Sequence, residues 1–348
     1  MGGDEFTVVL EDVDESCTVK IAQKILTLMR KKVIIENTNI HTTFSIGISR
    51  YPEDGMTSDV LLRNADTAMY KAKEMGKNQY QFYNEGMTQL AMQKSKTEAD
   101  LRLALENDEF IPYYQPKIDA LNHTVIGMEA LIRWQHPNLG LVMPGNFISV
   151  AEDTMLILPI DRWMMKETIE QLMKWKKEGI HTGQLSINLS MKQLEDENCI
   201  HNLKQLTKDL DNNIKNLELE ITESQIMKNP ELSIKLLTQI RELGITISID
   251  DFGTGYSSLS YLKRLPIDRL KIDRSFIVDL PHDENDVAIV RAIIALAKSL
   301  KLSLIAEGVE TKEQLDFLVE EGCPNIQGYY YSKPIPADKY REFLKKYQ

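Results

Sequence analysis

Polar and apolar residues alternate along a short segment in the last third of the chain, residues 245–250. The apolar positions are Ile245, Ile247 and Ile249, and the polar positions between them are Thr246, Ser248 and Asp250. A period of two predicts a β-strand with two chemically different faces. The segment runs into a second carboxylate, Asp251, and a loop with Gly253 and Gly255, which tolerate the positive φ of tight turns. Ser257 or Ser258 is expected to cap the helix that follows.

The same alternation recurs in four other segments, residues 185–189, 217–222, 270–273 and 303–308. In a barrel, one face of each strand contacts the helices and the other face lines the interior. The residues expected on the interior face are Ser186, Asn188, Glu218, Glu220, Thr222, Thr246, Ser248, Asp250, Lys271, Asp273 and Glu307. Residues 125–131 are apolar on both faces, although Glu129 shares the parity of Val125 and Gly127.

These strands alternate with amphipathic helices from about residue 97 onward, which is typical of parallel α/β architecture. The span 97–348 is close to the roughly 250 residues of a (β/α)8 barrel. The sequence therefore predicts an α/β protein built on a (β/α)8 TIM-like barrel. Such barrels build their active sites at the mouth formed by the C-terminal ends of the strands.

Several polar residues converge on that mouth in the predicted barrel. They are Glu129, Asn188, Glu220, Asp250, Lys271 and Glu307. Any one of them alone is more often a rim residue held by a hydrogen bond, and an isolated Asp-Asp pair is more often a solvated turn. Carboxylates gathered this closely would repel one another without cations between them. The ligands are all oxygen donors, which favours Mg²⁺ or Mn²⁺ over zinc.

Composition narrows the class of protein. The chain of 348 residues is 43% hydrophobic and 27% charged, as in ordinary soluble proteins. A formal net charge of −11 argues against a polymeric nucleic-acid partner, although a small phosphate ligand needs only a few local cations. Three distant cysteines form neither a zinc spacing nor a disulfide framework, which favours the cytoplasm. Arg291, Lys298 and Lys301 interrupt the most apolar window, so no membrane span is expected.

The first 84 residues read as part of a smaller domain. They open with Gly2-Gly3-Asp4-Glu5-Phe6, which is typical of a turn and could also hold a phosphate and a metal. A strand at 7–10, a helix at 18–31, a strand at 42–49 and a helix at 59–75 are predicted next. These elements make only a small core. Residues 85–97 are polar and predict a helical linker, which leaves 98–348 for the barrel.

Three motifs in this first part resemble the second half of a GGDEF, or diguanylate cyclase, domain. They lie at residues 2–6, 44–49 and 65–73. The first half of that domain would carry the other metal-binding aspartate and the inhibitory Arg-x-x-Asp motif, and neither precedes the signature here. The resemblance therefore implies an α+β GGDEF-like fragment without cyclase activity.

Eight motifs between residues 97 and 348 resemble, in the family's order, the EAL domains that hydrolyse cyclic di-GMP. They lie at residues 114–117, 129–134, 187–190, 220–223, 250–256, 270–273, 306–310 and 327–328. The resemblance implies two Mg²⁺ or Mn²⁺ ions at the mouth and hydrolysis of cyclic di-GMP to linear pGpG. Two divalent cations can share a hydroxide and neutralise the phosphodiester. The implied metal ligands are Glu129, Asn188, Glu220, Asp250 and Asp251.

The resemblance also implies roles for other residues. Lys271 would orient the attacking water, with Glu307 as a possible base and Gln327 holding the water and ligand region. The catalytic set would thus contain Lys271, Glu307, Glu129 and Gln327. The implied substrate contacts are Gln115 and Arg133, and the implied supporting residues are Glu223, beneath the Asp-Asp-Phe-Gly loop, and Glu310. A catalytically silent cyclic di-GMP receptor is the alternative, and a homodimer through the barrel is also implied.

Overall fold

The computed structural model describes residues 5–29, 33–35, 38–40, 43–255 and 259–347. The predicted turn at Gly2, Gly3 and Asp4 and the predicted cap at Ser257 or Ser258 lie outside these ranges. The chain divides into two compact units, Met1–Thr97 and Glu98–Gln348.

The first unit contains short strands and three helices within the described ranges. In order they are α1 (Glu15–Met29), β1 (Val33–Ile35), β2 (Thr38–Ile40), β3 (Ile46–Ile48), α2 (Ser58–Glu74), β4 (Tyr80–Phe82) and α3 (Glu85–Glu106), which runs on into the second unit. β1 pairs with β2 in antiparallel fashion, and β3 pairs with β4 in parallel. The strand predicted at 7–10 is wrong, because those residues are irregular and exposed.

Helix α2 packs directly on β3 in this unit. A Cβ atom at Gly47 would lie 1.8 Å from the carbonyl oxygen of Ala65, so glycine is required at this crossing. Ala68 and Ala72 are fully buried on the same helix. Small residues on both elements therefore allow the helix to approach the strand closely.

The second unit contains the remaining elements. Its strands are β5 (Phe110–Asp119), β6 (Thr124–His136), β7 (Gly140–Val142), β8 (Gln184–Asn188), β9 (Leu217–Thr222), β10 (Thr246–Phe252), β11 (Arg269–Ile272), β12 (Ser303–Ala306), β13 (Asn325–Gln327) and β14 (Ile335–Pro336). Its helices are α4 (Ile148–Asp153), α5 (Ile157–Lys177), α6 (Met191–Leu194), α7 (Cys199–Leu206), α8 (Glu223–Lys228), α9 (Pro230–Glu242), α10 (Leu259–Leu262), α11 (Glu284–Leu300), α12 (Lys312–Glu320) and α13 (Ala337–Leu344). Three 3₁₀ turns lie at Pro144–Asn146, Lys208–Asn216 and Arg274–Phe276.

These strands form a closed barrel, which confirms the predicted TIM-like fold. Around the barrel the order is β5, β13, β12, β11, β10, β9, β8, β6, and β6 pairs again with β5. Seven of the eight strands run parallel, whereas β5 is antiparallel to both of its neighbours, β6 and β13. Only residues 120–123 connect β5 to β6, too few for the crossover that parallel strands need, so the pair forms a hairpin.

The alternation in β9 separates the two faces of the barrel wall as the sequence predicts. Leu217, Leu219 and Ile221 lie in the apolar layer between strands and helices. Glu218 and Glu220 are also fully buried, but their carboxylates lie in the barrel interior beside lysines of other strands. The barrel therefore has an apolar outer core and a charged inner one.

Helix α11 shows how the outer layer covers the wall. Its buried residues follow the helical period and are Val290, Ile293, Ile294 and Ala297. Asp283 caps its first turn by accepting hydrogen bonds from the backbone N–H groups of Asn285 and Asp286. Among the helices of the described ranges, none has the length and apolar character needed to cross a bilayer.

Candidate active site

Strand β10 ends in a bulge that brings two adjacent carboxylates to the barrel mouth. Ile249 pairs with Leu270, but the next paired residue is Phe252, opposite Ile272, so β10 has one extra residue. Asp251 lies in that stretch with φ of 52°, a left-handed conformation that aspartate adopts more readily than most residues. A bulge interrupts the alternation of side chains. Asp250 and Asp251 therefore do not point to opposite faces of the wall.

Lys271 of β11 lies at the centre of the site and is fully buried. Its ammonium nitrogen lies 2.5 Å from Glu307 Oε1, 3.0 Å from Asp250 Oδ1 and 3.6 Å from Glu129 Oε2. The same nitrogen also donates a hydrogen bond to Glu220 Oε2. Carboxylates from four different strands or strand ends thus surround one lysine.

Glu129 of β6 joins this cluster to a second group of polar side chains. Asn188 Nδ2 donates to Glu129 Oε1 at 2.7 Å, and Gln327 Nε2 donates to Glu129 Oε2 at 2.5 Å. Gln327 Nε2 also lies 3.1 Å from Gln115 Oε1, and Gln115 Nε2 donates to the backbone oxygen of Ser332 at 3.1 Å. The structure therefore brings four residues predicted from four separate motifs into one network.

Arg133 follows Glu129 on the same face of β6, closer to the strand's C-terminal end. Its guanidinium lies 5.5 Å from the centroid of the Tyr113 ring, and Nη1 donates to the backbone oxygen of Ile132 at 2.8 Å. Burial lowers the pKa of Arg133. Within the described residues, no carboxylate is hydrogen-bonded to this guanidinium, so it retains donors for a phosphate.

The two predicted supporting residues have different surroundings. Glu223 is buried, and its Oε2 accepts a hydrogen bond from the backbone N–H of Gly253 at 2.9 Å. Glu310 instead is partly exposed and accepts a hydrogen bond from Arg274 Nη2 at 2.8 Å. The structure thus places Glu223 against the loop after β10, whereas Glu310 lies outside the group of carboxylates around Lys271.

The charges at the mouth are not balanced by the protein alone. Burial, reinforced by Glu220, raises the pKa of Glu129 to about 7, and burial raises the pKa of Glu307 well above its ordinary value. Burial and the neighbouring Asp250 raise the pKa of Asp251 to about 6. Burial would also raise the pKa of Glu220, but Lys117 and Lys271 outweigh it and lower that pKa to about 2. The raised pKa values of Glu129, Asp251 and Glu307 thus follow from burial and from neighbouring negative charge.

The side-chain oxygens at the mouth suit divalent metal ions, because the carboxylates there outnumber the positive charges. Five carboxylates at the mouth face the ammonium groups of Lys117 and Lys271; they belong to Glu129, Glu220, Asp250, Asp251 and Glu307. Carboxylate and amide oxygens are the ligands of Mg²⁺ and Mn²⁺. Across the described part of the chain, no three acidic, histidine or cysteine side chains form a preformed metal cage. Lys271 occupies the space between the carboxylates, so metal binding would require these side chains to rearrange.

Lys117 of β5 lies in the motif at residues 114–117 but is not among the site residues predicted from the sequence. Lys117 is fully buried, and its ammonium contacts Glu218 at 2.9 Å and Glu220 at 2.6 Å. The period-two alternation of β5 nevertheless indicates which face of the strand carries Lys117. Tyr114 lies in the apolar outer core, so its neighbour Gln115 and, two residues on, Lys117 share the interior face.

Asp161 of α5 is a second residue that sequence reasoning missed. Burial raises its pKa to about 7, against the opposing effect of hydrogen bonds from Ser190 just after β8. Its Oδ2 is buried and has no hydrogen-bond partner in the described residues. A single acid on an amphipathic helix resembles a solvated position, so the sequence carried no clear signal.

Fold and site together define an α/β-barrel protein with a carboxylate-rich mouth. The EAL domain family matches residues 98–334 of the chain. The family of the diguanylate cyclase, GGDEF domain, matches residues 1–79. The chain belongs to the EAL domain family and carries a GGDEF match before the EAL domain.

Named relatives agree with this assignment. The chain is 41% identical over 97% of its length to the bifunctional diguanylate cyclase/cyclic di-GMP phosphodiesterase MucR of Pseudomonas aeruginosa. It is 40% identical over 99% of its length to the cyclic di-GMP phosphodiesterase PdeR of Escherichia coli. It covers 50% and 52% of these two proteins, so it spans about half the length of the curated relatives that it matches.

A solved structure described as the PaMucR phosphodiesterase in complex with c-di-GMP superposes on the barrel with a TM-score of 0.68. The match is 44% identical in sequence and covers 70% of this chain and 99% of that one. The similarity therefore concerns the EAL portion.

Proposed function

We propose that this chain is a cyclic di-GMP phosphodiesterase that hydrolyses its substrate to linear pGpG with divalent cations, Mg²⁺ or Mn²⁺. The observation that carries the proposal is the group of carboxylates around Lys271, which is hydrogen-bonded through Glu129 to Asn188 and Gln327. The names of the relatives MucR and PdeR support the same substrate.

Five residues would hold the metal ions, namely Glu129, Asn188, Glu220, Asp250 and Asp251. When bound, two such ions supply neutralisation of the phosphodiester and activation of a water molecule. The bulge in β10 contributes by interrupting the alternation of side chains, so that both Asp250 and Asp251 can reach the mouth. The protein thereby offers oxygen donors from β6, β8, β9 and β10 to one space.

Lys271 and Glu307 are proposed to act on the attacking water. The ammonium of Lys271 can donate three hydrogen bonds and cannot bind a metal, so it would hold the oxygen of the water in place. Glu307 lies 2.5 Å from that ammonium and would accept the proton of the water. Its raised pKa favours the protonated form when cations are few, and neighbouring positive charge favours the ionised form that a base requires.

Arg133, Gln115 and Gln327 are proposed to position the substrate. A guanidinium can bind a phosphate through two parallel hydrogen bonds, and Arg133 has donors free for this purpose. The hydrogen bonds between Gln327, Gln115 and Glu129 fix the amide groups beside the proposed metal ligands. The substrate phosphate would therefore lie between Arg133 and the carboxylates.

Incubation of the full chain with cyclic di-GMP and Mg²⁺ or Mn²⁺, followed by chromatography, tests the proposal. We expect pGpG from the wild type, little from Asp250→Asn, and a normal yield from the exposed control Asp316→Asn. Ca²⁺ should inhibit, because its longer bonds and looser geometry misplace the reacting groups. Substrate that binds but stays intact with both metals would instead identify the chain as a catalytically silent receptor.

Three related expectations remain proposals. We propose a cytoplasmic location, a homodimer formed through the barrel, and no cyclase activity in residues 1–84. Size-exclusion chromatography with light scattering tests the second. Incubation with labelled GTP tests the third, because labelled cyclic di-GMP would contradict it.

A further inference from the structure

A series of buried side chains with alternating charges lies in the barrel interior below the mouth. The ammonium of Lys117 contacts three oxygens: Ser186 Oγ at 2.5 Å, Glu218 Oε1 at 2.9 Å and Glu220 Oε1 at 2.6 Å. An ammonium has three donor hydrogens, so these three contacts use its full capacity. Lys117 therefore has no donor left for a substrate or a water at the mouth.

The series of charged side chains continues from Glu218 towards the opposite end of the barrel. Arg269, the first residue of β11, lies 2.7 Å from Glu218 Oε2 and 2.9 Å from its Oε1. Ser186 Oγ also lies 2.7 Å from Glu218 Oε1. The order of charges is therefore Arg269, Glu218, Lys117, Glu220 and Lys271, positive and negative in turn.

This arrangement is costly for a barrel interior. Branched apolar residues usually fill such interiors. Buried ion pairs often give no more stability than apolar residues of similar volume, because each charge loses its hydration. Lys117, Glu218 and Glu220 are nevertheless fully buried. Stability alone gives a poor reason for placing them there.

The contacts of Glu220 indicate the role of this series of charged side chains. Lys117 holds Oε1 of this carboxylate, whereas Oε2 faces Lys271 and the mouth. We propose that Lys117 is a positioning residue that holds Oε1 of Glu220 and presents only its Oε2 to the metal ions, while Glu218 and Arg269 hold Lys117. This inference rests on the proposed function, since it assigns Glu220 to the metal site.

Removal of Lys117 should weaken metal binding rather than only destabilise the fold. Residues that orient metal ligands from behind typically account for 10- to 100-fold in metal affinity or activity. Lys117→Met removes the ammonium and leaves Glu218 and Glu220 without the cation that lies between them. The double variant Lys117→Met/Glu218→Gln removes one charge of each sign and preserves the overall balance. Leu219→Ala is the matched control, because Leu219 is fully buried on the same strand but faces the opposite side.

Isothermal titration of the full-length variants with Mn²⁺, without substrate, provides the main measurement, and hydrolysis of cyclic di-GMP provides the second. We expect the Mn²⁺ dissociation constant to rise at least about 10-fold in both Lys117 variants. In Leu219→Ala it should stay within about threefold of the wild type, although this variant melts at a lower temperature. Saturating Mn²⁺ should then restore part of kcat in the Lys117 variants.

The result that overturns the inference is a folded double variant with wild-type Mn²⁺ affinity and kcat. Failure of the double variant to fold would also count against it, since Lys117 would then act mainly on stability. A wild type that binds Mn²⁺ but does not hydrolyse cyclic di-GMP would contradict the proposed function and leave the positioning role standing. A wild type that binds no Mn²⁺ would overturn both.

Discussion

Replacement of Lys271 by methionine separates the stability of the mouth from its chemistry. The side chain is fully buried, and methionine keeps much of its volume while removing its charge. Glu129, Glu220, Asp250 and Glu307 lose their shared counter-ion in this variant. Lys271 can hold the attacking water or only neutralise acids such as Glu307. The structure places it where it can do both.

The expected loss of stability follows from the number and burial of these contacts. Removing one partner of a buried ion pair typically costs about 3–5 kcal/mol, because the remaining charge is buried without compensation. For a unit of this size, each kcal/mol changes the melting temperature by about 2–4 °C. Lys271→Met should therefore melt about 6–20 °C below the wild type in EDTA. Its kcat should fall on the order of 10²–10³, as with other single electrostatic contacts to a reacting group.

Thermal melts in EDTA and in excess Mn²⁺ measure the first effect, and turnover of cyclic di-GMP measures the second. Lys312→Met is the control, because it removes an exposed lysine paired with Asp316 and should leave both quantities nearly unchanged. A variant that melts with the wild type in EDTA would refute the electrostatic reasoning. A variant with reduced stability and near-normal kcat would refute the catalytic role.

Three further predictions concern other parts of the site. Asp161 has a pKa raised from 3.8 to about 7, so its protonated form stabilises the fold below pH 4 and this contribution is lost as pH rises through 7. Asp161→Asn should therefore be more stable than the wild type at pH 8, by at most about 4 kcal/mol, with the gain vanishing towards pH 4 in denaturant titrations. A Cβ at Gly255 would lie 2.6 Å from Glu223 Oε1, so Gly255→Ala should raise the Mn²⁺ concentration for half-maximal turnover, whereas Gly145→Ala, with open space around it, should not. Asp251→Ala and Asp251→Gly should lose kcat equally. The free energy of unfolding in urea should be about 1–2 kcal/mol lower for Asp251→Ala, because only glycine adopts the positive φ without strain. Equal free energies of unfolding would contradict backbone strain at the bulge.

The sequence predicted the barrel because its strands carry a strong period-two signal. In β9 the apolar residues lie in the outer core and Glu218 and Glu220 in the interior, as their parity requires. The carboxylates at the mouth follow from the same rule, since Glu220 and Lys271 each lie on the interior face of a strand. Their catalytic and metal-binding roles remain predictions.

Other features could not be read from periodicity. The antiparallel direction of β5 depends on the length of the connection at 120–123 and not on the residues of the strand. The bulge at Asp251 breaks the period that a parity argument assumes. Asp161 lies on a helix that covers the barrel, and its carboxylate is buried there beside Ser190. Each of these depends on contacts between segments that are distant in sequence.

Lys271 also changes how the metal prediction should be understood. Sequence reasoning held that the gathered carboxylates require cations, and the structure shows that the protein supplies one of them itself. Divalent ions would therefore compete with an ammonium for the same oxygens, and the affinity of the proposed site would reflect an exchange of partners. Carboxylates already outnumber the cations around Lys271, and burial together with the neighbouring acids raises the pKa values of Glu129 and Glu307. Lys271→Met should accordingly gain more thermal stability from Mn²⁺ than the wild type does, because a ligand stabilises a protein in proportion to the logarithm of its affinity.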